Sequence, residues 1–141
     1  MKVLILGGTS FFGREIVDAF TSKGHKVTTF SRVEKSPFEK IKHIEGNRTS
    51  KEDLLKAKKA GPWDVVIDNI AFGAKDVELA LSVFKEVKHY ILTSTVSVYR
   101  FVPKDAYHPP VKESDVSFTY VPTEEDVNDR NWIYARGKLE G

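Results

Sequence analysis

The sequence contains no cysteine, and its histidines are dispersed. Without cysteine the chain forms no disulfide and offers no thiolate, so any redox chemistry must come from a bound cofactor. The histidines do not have the spacing that metal ligands require, and we expect no metal site. They are His25, His43, His89 and His108.

Long apolar runs and an excess of charge of one sign are also missing. The apolar run Val3–Leu6 is too short for a signal peptide or a membrane span, so we expect a cytoplasmic protein without a membrane partner. The formal net charge is only +2, and acidic residues are interspersed with the basic ones. We therefore expect no nucleic-acid partner, and we interpret the lysine-rich stretch Lys51–Lys59 as the solvated face of a helix.

Strands and helices alternate along residues 3–95. Short apolar or β-branched runs predict strands, and apolar residues at three-to-four spacing predict the helices between them. The predicted strands are Val3–Leu6, Lys26–Phe30, Ile41–Glu45, Asp64–Asp68 and His89–Thr95. The predicted helices are Phe12–Lys23, the helix from the N-cap Ser50 through Lys59, and Lys75–Val87. This alternation predicts an α/β fold with a doubly wound parallel sheet.

The alternating pattern ends after Tyr99. A polar, proline-bearing stretch from Pro103 to Pro122 is interpreted as a lid or connecting loop. Residues 124–126 are expected to start a short helix, and Tyr134–Glu140 form the first turns of another. With 40% hydrophobic and 30% charged residues, the composition is typical of one globular domain, here residues 1–141.

A glycine-rich segment, Gly7–Gly13, lies between the first predicted strand and the first predicted helix. A turn at this place presents backbone amides and a helix N-terminus to a phosphate, which is how Rossmann-type folds hold a pyrophosphate. Glycines also serve ordinary loops, but the buried strand that precedes this segment favours nucleotide binding.

The end of the second strand selects between the two nicotinamide dinucleotides in such folds. A carboxylate there bonds the ribose hydroxyls, whereas an arginine accommodates a 2′-phosphate. Here the strand is followed by Ser31 and Arg32, with no acid before Glu34, which favours NADP over NAD unless Arg32 is an ordinary surface charge. Asn47, just after the third strand, is either an adenine contact or a turn residue.

Tyr134 and Lys138 lie four residues apart on a predicted helix and therefore share a face. An ammonium group near a phenol favours its use as a general acid/base. The spacing alone is weak evidence, because such a pair arises easily by chance in a lysine-rich chain. Thr95, at the predicted end of the fifth strand, adds a hydroxyl where open α/β sheets bind their ligands, although a strand end also carries threonines with no such role.

Three motifs together resemble the extended short-chain dehydrogenase/reductases, also called the NAD-dependent epimerase/dehydratase family. They are Gly7–Gly13, the strand-end segment Ser94–Tyr99 and the segment Tyr134–Lys138. The resemblance covers the whole chain and implies an NAD(P)-binding Rossmann fold. It also implies an enzyme that transfers hydride between this cofactor and a nucleotide-linked sugar or another small carbonyl or alcohol substrate.

The resemblance assigns roles to individual residues. It implies that Tyr134 is the catalytic acid/base, that Lys138 assists Tyr134 and holds the nicotinamide ribose, and that Thr95 orients the substrate oxygen. It implies a structural role for Asp68. The residues expected to contact the cofactor are Gly7, Thr9, Ser10, Phe11, Phe12, Gly13, Ser31, Arg32, Asn47, Ala71 and Lys138.

The sequence departs from the family pattern at three places. Ser10 stands where the family has its middle glycine, for which the neighbouring Gly8 is expected to compensate, and Asn47 stands for an aspartate. The chain also stops three residues after Lys138. Since family members run on for roughly another domain's length, we expect a dinucleotide-binding domain truncated before the substrate domain and inactive alone.

Two other functions are compatible with the same fold. One is a catalytically inactive protein that binds NAD(P) for regulation or for RNA association, and the other is a redox-sensing regulator that responds to NADP(H). The presence of Thr95, Tyr134 and Lys138 together argues against both, since a pure binding module does not need them. A homodimer is the oligomeric state that we consider.

Overall fold

A computed structural model of the chain describes residues 1–119 and 129–141, so the short helix expected at residues 124–126 lies outside the described part. The chain divides into two compact units. The sheet unit comprises Met1–Ala71 and Lys75–Thr93, and the second unit comprises Phe72–Ala74 and Ser94–Gly141. Within the described ranges, no helix has the length and apolar character needed to cross a membrane.

The sheet unit is built on five parallel strands in the order β3-β2-β1-β4-β5. The strands are β1 Lys2–Leu6, β2 Lys26–Ser31, β3 Lys42–Glu45, β4 Val65–Asp68 and β5 His89–Leu92. The chain moves outward from β1 to β3 and then returns to β4 on the other side of β1. In open α/β sheets, ligands bind outside the carboxyl ends of the strands at such a reversal.

Helices cover both faces of this sheet, as a doubly wound fold requires. They are α1 Phe12–Ser22, α2 Lys51–Lys59 and α3 Ala74–Phe84. The hydroxyl oxygen of Ser50 accepts a hydrogen bond from the Asp53 N–H at 3.2 Å, which confirms the predicted N-cap of α2. Gly24, with φ +76°, follows the end of α1 where the left-handed conformation favours glycine.

Two apolar clusters hold these layers together. One cluster joins one face of the sheet to α1 and contains Val3, Ile5, Val17, Val27, Val65 and Ile67. The other joins the opposite face to α2 and α3 and includes Leu4, Leu6, Phe30, Leu54, Val66, Ala80 and Val83. Because successive strand residues face opposite sides, β1 supplies both clusters, and each such buried side chain contributes on the order of 1.5–3 kcal/mol. The predicted doubly wound parallel sheet is confirmed.

In its described residues the second unit is helical, and its α-helix α4 spans Arg130–Glu140. A 3₁₀-helix spans Val96–Phe101, and α4 packs against it, with the rings of Phe101 and Trp132 centred 5.0 Å apart and nearly perpendicular. Two short 3₁₀ turns, at Lys104–Ala106 and Glu113–Asp115, lie in the stretch that was expected to be a loop.

Three predicted boundaries were wrong. Helix α3 ends at Phe84 rather than at Val87, whose N–H donates to the Phe84 carbonyl at 3.1 Å in a turn. Strand β5 ends at Leu92 rather than at Thr95, because the Thr95 hydroxyl oxygen accepts a hydrogen bond from the Ser97 N–H at 3.3 Å and starts the 3₁₀-helix instead. Helix α4 begins before Tyr134, because a carboxylate oxygen of Asp129 accepts the Asn131 N–H at 2.9 Å and caps the helix there.

Candidate functional site

The glycine-rich turn follows β1 at the reversal of strand order. Gly7 has φ +85° and donates its N–H to the carbonyl of Phe30 at 2.9 Å. A Cβ atom placed on Gly13 would lie 2.4 Å from the Gly7 carbonyl oxygen, closer than real side chains approach. Glycine is therefore required at both positions, at Gly7 for its backbone conformation and at Gly13 for the close packing of α1 on the turn.

Ser10 replaces the family's middle glycine without backbone strain. Among the described non-glycine residues the positive φ belongs to Phe11, at 50°, and not to Ser10. The ring of Phe11 is 86% exposed, and no side-chain hydrogen bond caps the N-terminus of α1. A strained, exposed residue at a helix N-terminus without a side-chain cap is the kind of feature that concentrates at ligand sites.

Thr9 joins this turn to the end of β2. Its hydroxyl donates to the hydroxyl oxygen of Ser31 at 3.2 Å, and Ser31 is buried whereas the next residue, Arg32, is exposed. Gly8 lies against β2, where a Cβ atom would come within 2.7 Å of the Thr29 methyl group. The structure thus brings together the turn and the Ser31–Arg32 segment that were predicted to contact the cofactor.

Asn47 follows β3 and forms a turn with its own neighbour. Its side-chain oxygen accepts hydrogen bonds from the Thr49 N–H at 3.1 Å and the Thr49 hydroxyl at 2.9 Å. Its backbone N–H donates to Asp53 at 2.8 Å. Asn47 is thus a turn residue, one of the two roles predicted for it, and it is exposed.

Asp68 ends β4 and organises the segment that follows it. One carboxylate oxygen accepts the N–H groups of Ile70 at 3.1 Å and Ala71 at 2.9 Å, and both Asp68 and Ala71 are buried. The other oxygen accepts the hydroxyl of Tyr90 at 2.6 Å and the guanidinium of Arg48. Burial, followed by the nearby Asp68 charge, raises the pKa of Tyr90 well above its usual range, so the phenol keeps its proton.

The second unit contains the three residues predicted to be catalytic. Thr95 is half-buried, and its hydroxyl also donates to the hydroxyl oxygen of Ser97 at 3.3 Å. Tyr134 and Lys138 lie one turn apart on α4, and Lys138 is buried with 9% exposure. Because α4 packs against the 3₁₀-helix that Thr95 starts, the three residues lie on two adjacent elements.

Close contacts around Phe72 fix the position of α4 within the second unit. The rings of Phe72 and Tyr134 are centred 5.2 Å apart in an edge-on arrangement. A Cβ atom on Gly137 would lie 2.3 Å from the Phe72 carbonyl oxygen, so glycine permits this approach of the helix to the backbone. The contact orients the face of α4 that carries Tyr134.

Sequence analysis did not identify two residues near the carboxyl ends of the strands. Arg48 is an ordinary basic residue in the sequence, and no motif indicates that it is buried. Asn69 accepts the Thr93 hydroxyl at 2.7 Å, while its buried amide nitrogen has no hydrogen-bond partner among the described residues. The position of Asn69, directly after the last residue of β4 at the sheet's reversal, was the available clue.

Among curated proteins, the chain is similar to the chloroplast stem-loop binding protein of 41 kDa b from Arabidopsis thaliana. The two are 32% identical over 114 residues, which covers 70% of this chain and 30% of that protein. The chain thus spans less than a third of the length of this relative.

Among solved structures, the fold is similar to nucleotide-sugar epimerases. The UDP-glucose 4-epimerase of Thermus thermophilus in complex with NAD matches with a TM-score of 0.75 and 17% identity, over 99% of this chain and 48% of that chain. The UDP-glucose-4-epimerase of Stenotrophomonas maltophila, with bound NAD and formylated UDP-arabinopyranose, matches with a TM-score of 0.73 and 15% identity, over 99% of this chain and 46% of that one. At these identities the likeness concerns the fold.

The family follows from the sequence itself. The profile of the NAD dependent epimerase/dehydratase family matches residues 3–85, more than half of the chain. The matched range begins with β1 and contains the glycine-rich turn, the end of β2 and the segment after β4. The chain therefore belongs to the NAD dependent epimerase/dehydratase family.

Proposed function

We propose that the chain binds a nicotinamide dinucleotide at the carboxyl ends of the strands of the sheet unit. We further propose that it serves an enzyme that transfers hydride to or from a nucleotide-linked sugar or another small carbonyl or alcohol substrate. The observation that carries the proposal is the turn Gly7–Gly13 at the reversal of the strand order. The NAD named with the Thermus structure is consistent with this choice of cofactor.

Several features of the sheet unit fit a dinucleotide. Gly7 and Gly13 allow the turn to pack closely between β1 and α1, and the N-terminus of α1 lacks a side-chain cap that would compete with a phosphate. The buried amide nitrogen of Asn69 is a donor in need of an acceptor, which a ligand at this edge of the sheet would supply. In this proposal Thr9, Ser10, Phe11 and Phe12 line the pyrophosphate, and Ala71 lies against the cofactor.

The proposed chemistry divides between the cofactor and three side chains of the second unit. A bound nicotinamide supplies or accepts the hydride. The Tyr134 hydroxyl would donate or accept the proton at the substrate oxygen, which the Thr95 hydroxyl would orient through a hydrogen bond. Lys138 would hold the nicotinamide ribose and, as a cation on the same helix face as Tyr134, favour proton transfer by the phenol.

The choice between NADP and NAD is proposed to depend on Arg32. Its exposed guanidinium follows Ser31, which the Thr9 hydroxyl ties to the glycine turn, so it is suited to a 2′-phosphate. Titration with NADPH and NADH, followed by quenching of Trp63 and Trp132 fluorescence, should give tighter binding of NADPH. Because a charged hydrogen bond contributes about 1.5–3 kcal/mol, Arg32→Gln should weaken NADPH binding by about tenfold or more and leave NADH binding unchanged.

The variant Lys35→Gln is the matched control for this titration. It removes an exposed cation from the same loop and therefore changes the net charge equally. Equal loss of NADPH affinity in both variants would assign the effect to general charge and would contradict a 2′-phosphate contact by Arg32.

The proposed role of Tyr134 is tested by Tyr134→Phe. The substitution keeps the ring that packs on Phe72 and removes the proton, so turnover should fall by about 10²- to 10⁴-fold while dinucleotide affinity stays constant. Turnover and dinucleotide affinity are measured independently in the protein that carries this chain, so that a loss of catalysis is distinguished from a loss of binding. Turnover that survives the loss of the hydroxyl would contradict an acid/base role.

The relative from Arabidopsis supports a second candidate function, a regulatory or RNA-associated protein on the same fold. On this alternative the chain would bind an RNA stem-loop, and Tyr134→Phe would leave its function intact. Fluorescence anisotropy with a labelled stem-loop RNA and an unpaired RNA of equal length, in a salt series, distinguishes the two proposals. Preferential stem-loop binding without dinucleotide binding would favour the alternative.

A further inference from the structure

A largely buried network of charged and polar groups connects β4, β5 and the loop after β3 in the sheet unit. Arg48 follows β3 and is 5% exposed, while Asp68 is the last residue of β4 and is wholly buried. The Arg48 guanidinium bonds one carboxylate oxygen of Asp68 and also lies 3.1 Å from a carboxylate oxygen of Asp76. The hydroxyl of Tyr90, on β5, donates to the same Asp68 oxygen at 2.6 Å.

Stability alone is a weak reason for such a network. Removing two ions from water offsets much of their attraction, and apolar residues of similar size in their place often stabilise a fold as well or better. A buried pair is better explained by the geometry that it imposes on its surroundings. Here the geometry concerns the second oxygen of Asp68, which accepts the N–H groups of Ile70 and Ala71.

The segment Asn69–Ala71 flanks the glycine-rich turn. The Asn69 N–H donates to the carbonyl of Leu6 at 3.0 Å, which continues the pairing of β4 with β1. A Cβ atom on Gly7 would lie 2.3 Å from a side-chain methyl of Ile70, so Ile70 packs directly on the turn. Rotation of the Asp68 carboxylate would break its hydrogen bonds with the Ile70 and Ala71 N–H groups. The Ile70 side chain, which packs against Gly7, would then shift.

We propose that Arg48 and Tyr90 are positioning residues of the dinucleotide site, holding Asp68 in the orientation that places Asn69–Ala71 beside the turn Gly7–Gly13. This inference rests on the proposed function, since it assigns a role at the same site. Tyr90 suits the task because its partly buried phenol remains a hydrogen-bond donor across the neutral pH range. Arg48 suits it because its rigid guanidinium carries several donors, of which one nitrogen bonds Asp68 while a second lies 3.1 Å from a carboxylate oxygen of Asp76.

The test compares Tyr90→Phe, Arg48→Met and Arg48→Lys with the unaltered chain. Hydrogen exchange of the Ile70 and Ala71 amides is measured by NMR, and NADPH affinity is measured by titration well below the unfolding midpoint of each variant. We expect exchange of both amides to accelerate about tenfold in Tyr90→Phe, with NADPH affinity reduced roughly three- to tenfold. Arg48→Met should show larger changes, and Arg48→Lys should recover part of the loss.

Tyr99→Phe is the matched control, because it removes a phenolic hydroxyl whose acceptor, Glu113, is exposed. It should change neither amide exchange at Ile70 and Ala71 nor affinity. If Arg48→Met does not fold, Tyr90→Phe carries the test.

The possible failures are distinguishable. Variants that lose thermal stability while affinity and the exchange of the two amides stay unchanged would reduce the network to a structural role and overturn the inference. A folded, unaltered chain that binds no dinucleotide would contradict the proposed function itself, and the positioning role would fail with it.

Discussion

The two units of this chain position their candidate residues by different means. In the sheet unit the Gly7 N–H bonds Phe30, and the Ile70 and Ala71 N–H groups bond Asp68, so backbone groups define the proposed cofactor site. In the second unit, contacts between side chains position the candidate residues. One such contact places the Arg136 guanidinium 5.5 Å from the centre of the Phe101 ring. Large apolar side chains are exposed in both units, including Phe11 at 86% in the sheet unit and Val96 at 80% and Phe118 at 67% in the second unit.

The difference has a consequence for how each site tolerates change. A backbone site is altered mainly by substitutions that move the main chain, whereas a site built from side-chain contacts is altered by the loss of single rings or charges. Glycines that prevent a clash with a carbonyl occur in both units, so they allow the two to be compared with the same substitution.

The largest effect is expected for Gly13→Ala in the sheet unit. Because its Cβ would lie 2.4 Å from the Gly7 carbonyl oxygen, the turn must move, at a cost of about 1–3 kcal/mol or more, with loss of dinucleotide binding. Urea unfolding and a NADPH titration measure the two effects. Ser10→Ala, at an exposed position of the same turn, should leave the stability within about 0.5 kcal/mol. Equal stability of both variants would contradict the close packing of α1 on the turn.

A smaller effect is expected for Gly137→Ala in the second unit. Alanine favours the helix by about 1 kcal/mol, but its Cβ would lie 2.3 Å from the Phe72 carbonyl oxygen, so the net change should still be destabilising, by roughly 1 kcal/mol. Gly73→Ala is the control, since the atom nearest to its Cβ is 3.5 Å away. A stabilised Gly137→Ala variant would show that α4 does not approach Phe72 this closely.

The smallest expected effect on stability is that of replacing Asp64, which lies at the amino-terminal edge of the sheet. The Lys2 N–H and then the Lys88 ammonium bond its carboxylate and lower its pKa below the ordinary 3.8. A lowered pKa in the folded state stabilises the fold above the unfolded value, and the contribution disappears as the pH falls through the folded value. Asp64→Asn should therefore lower the urea midpoint at pH 7 but match the unaltered chain in strong acid.

Asp18→Asn removes an exposed carboxylate from α1 and controls for the change in net charge. The urea midpoints of Asp64→Asn and the unaltered chain should converge below the lowered pKa of Asp64. If their difference persists there, the contacts with Lys2 and Lys88 are not its cause.

Much of the sheet unit was predictable because its elements follow from local patterns. The apolar run before Gly7 predicted β1, and Ser50 with the residues after it predicted α2 and its cap. The glycine turn and Ser31 were both predicted to contact the cofactor, and they follow adjacent parallel strands that end at one edge of the sheet.

The remaining features depend on contacts between residues that are distant in sequence or on competing caps. Arg48 is buried because its guanidinium donates a hydrogen bond to Asp68, twenty residues further along the chain. No residue beside Arg48 in the sequence indicates this contact. The end of β5 was mispredicted because Thr93 and Thr95 suit a strand as well as a cap, and the bond from Ser97 decides in favour of the cap. The start of α4 depended in the same way on Asp129.

The most direct test of the central claim is a titration of the isotope-labelled chain with NADPH, observed through its backbone amide NMR signals. We predict that the largest shifts occur at residues 7–13, with further shifts at Ser31 and Arg32, because the amides of the turn are the proposed pyrophosphate donors. A folded chain whose signals at residues 7–13 do not move, or move less than those elsewhere, would contradict dinucleotide binding at the glycine-rich turn.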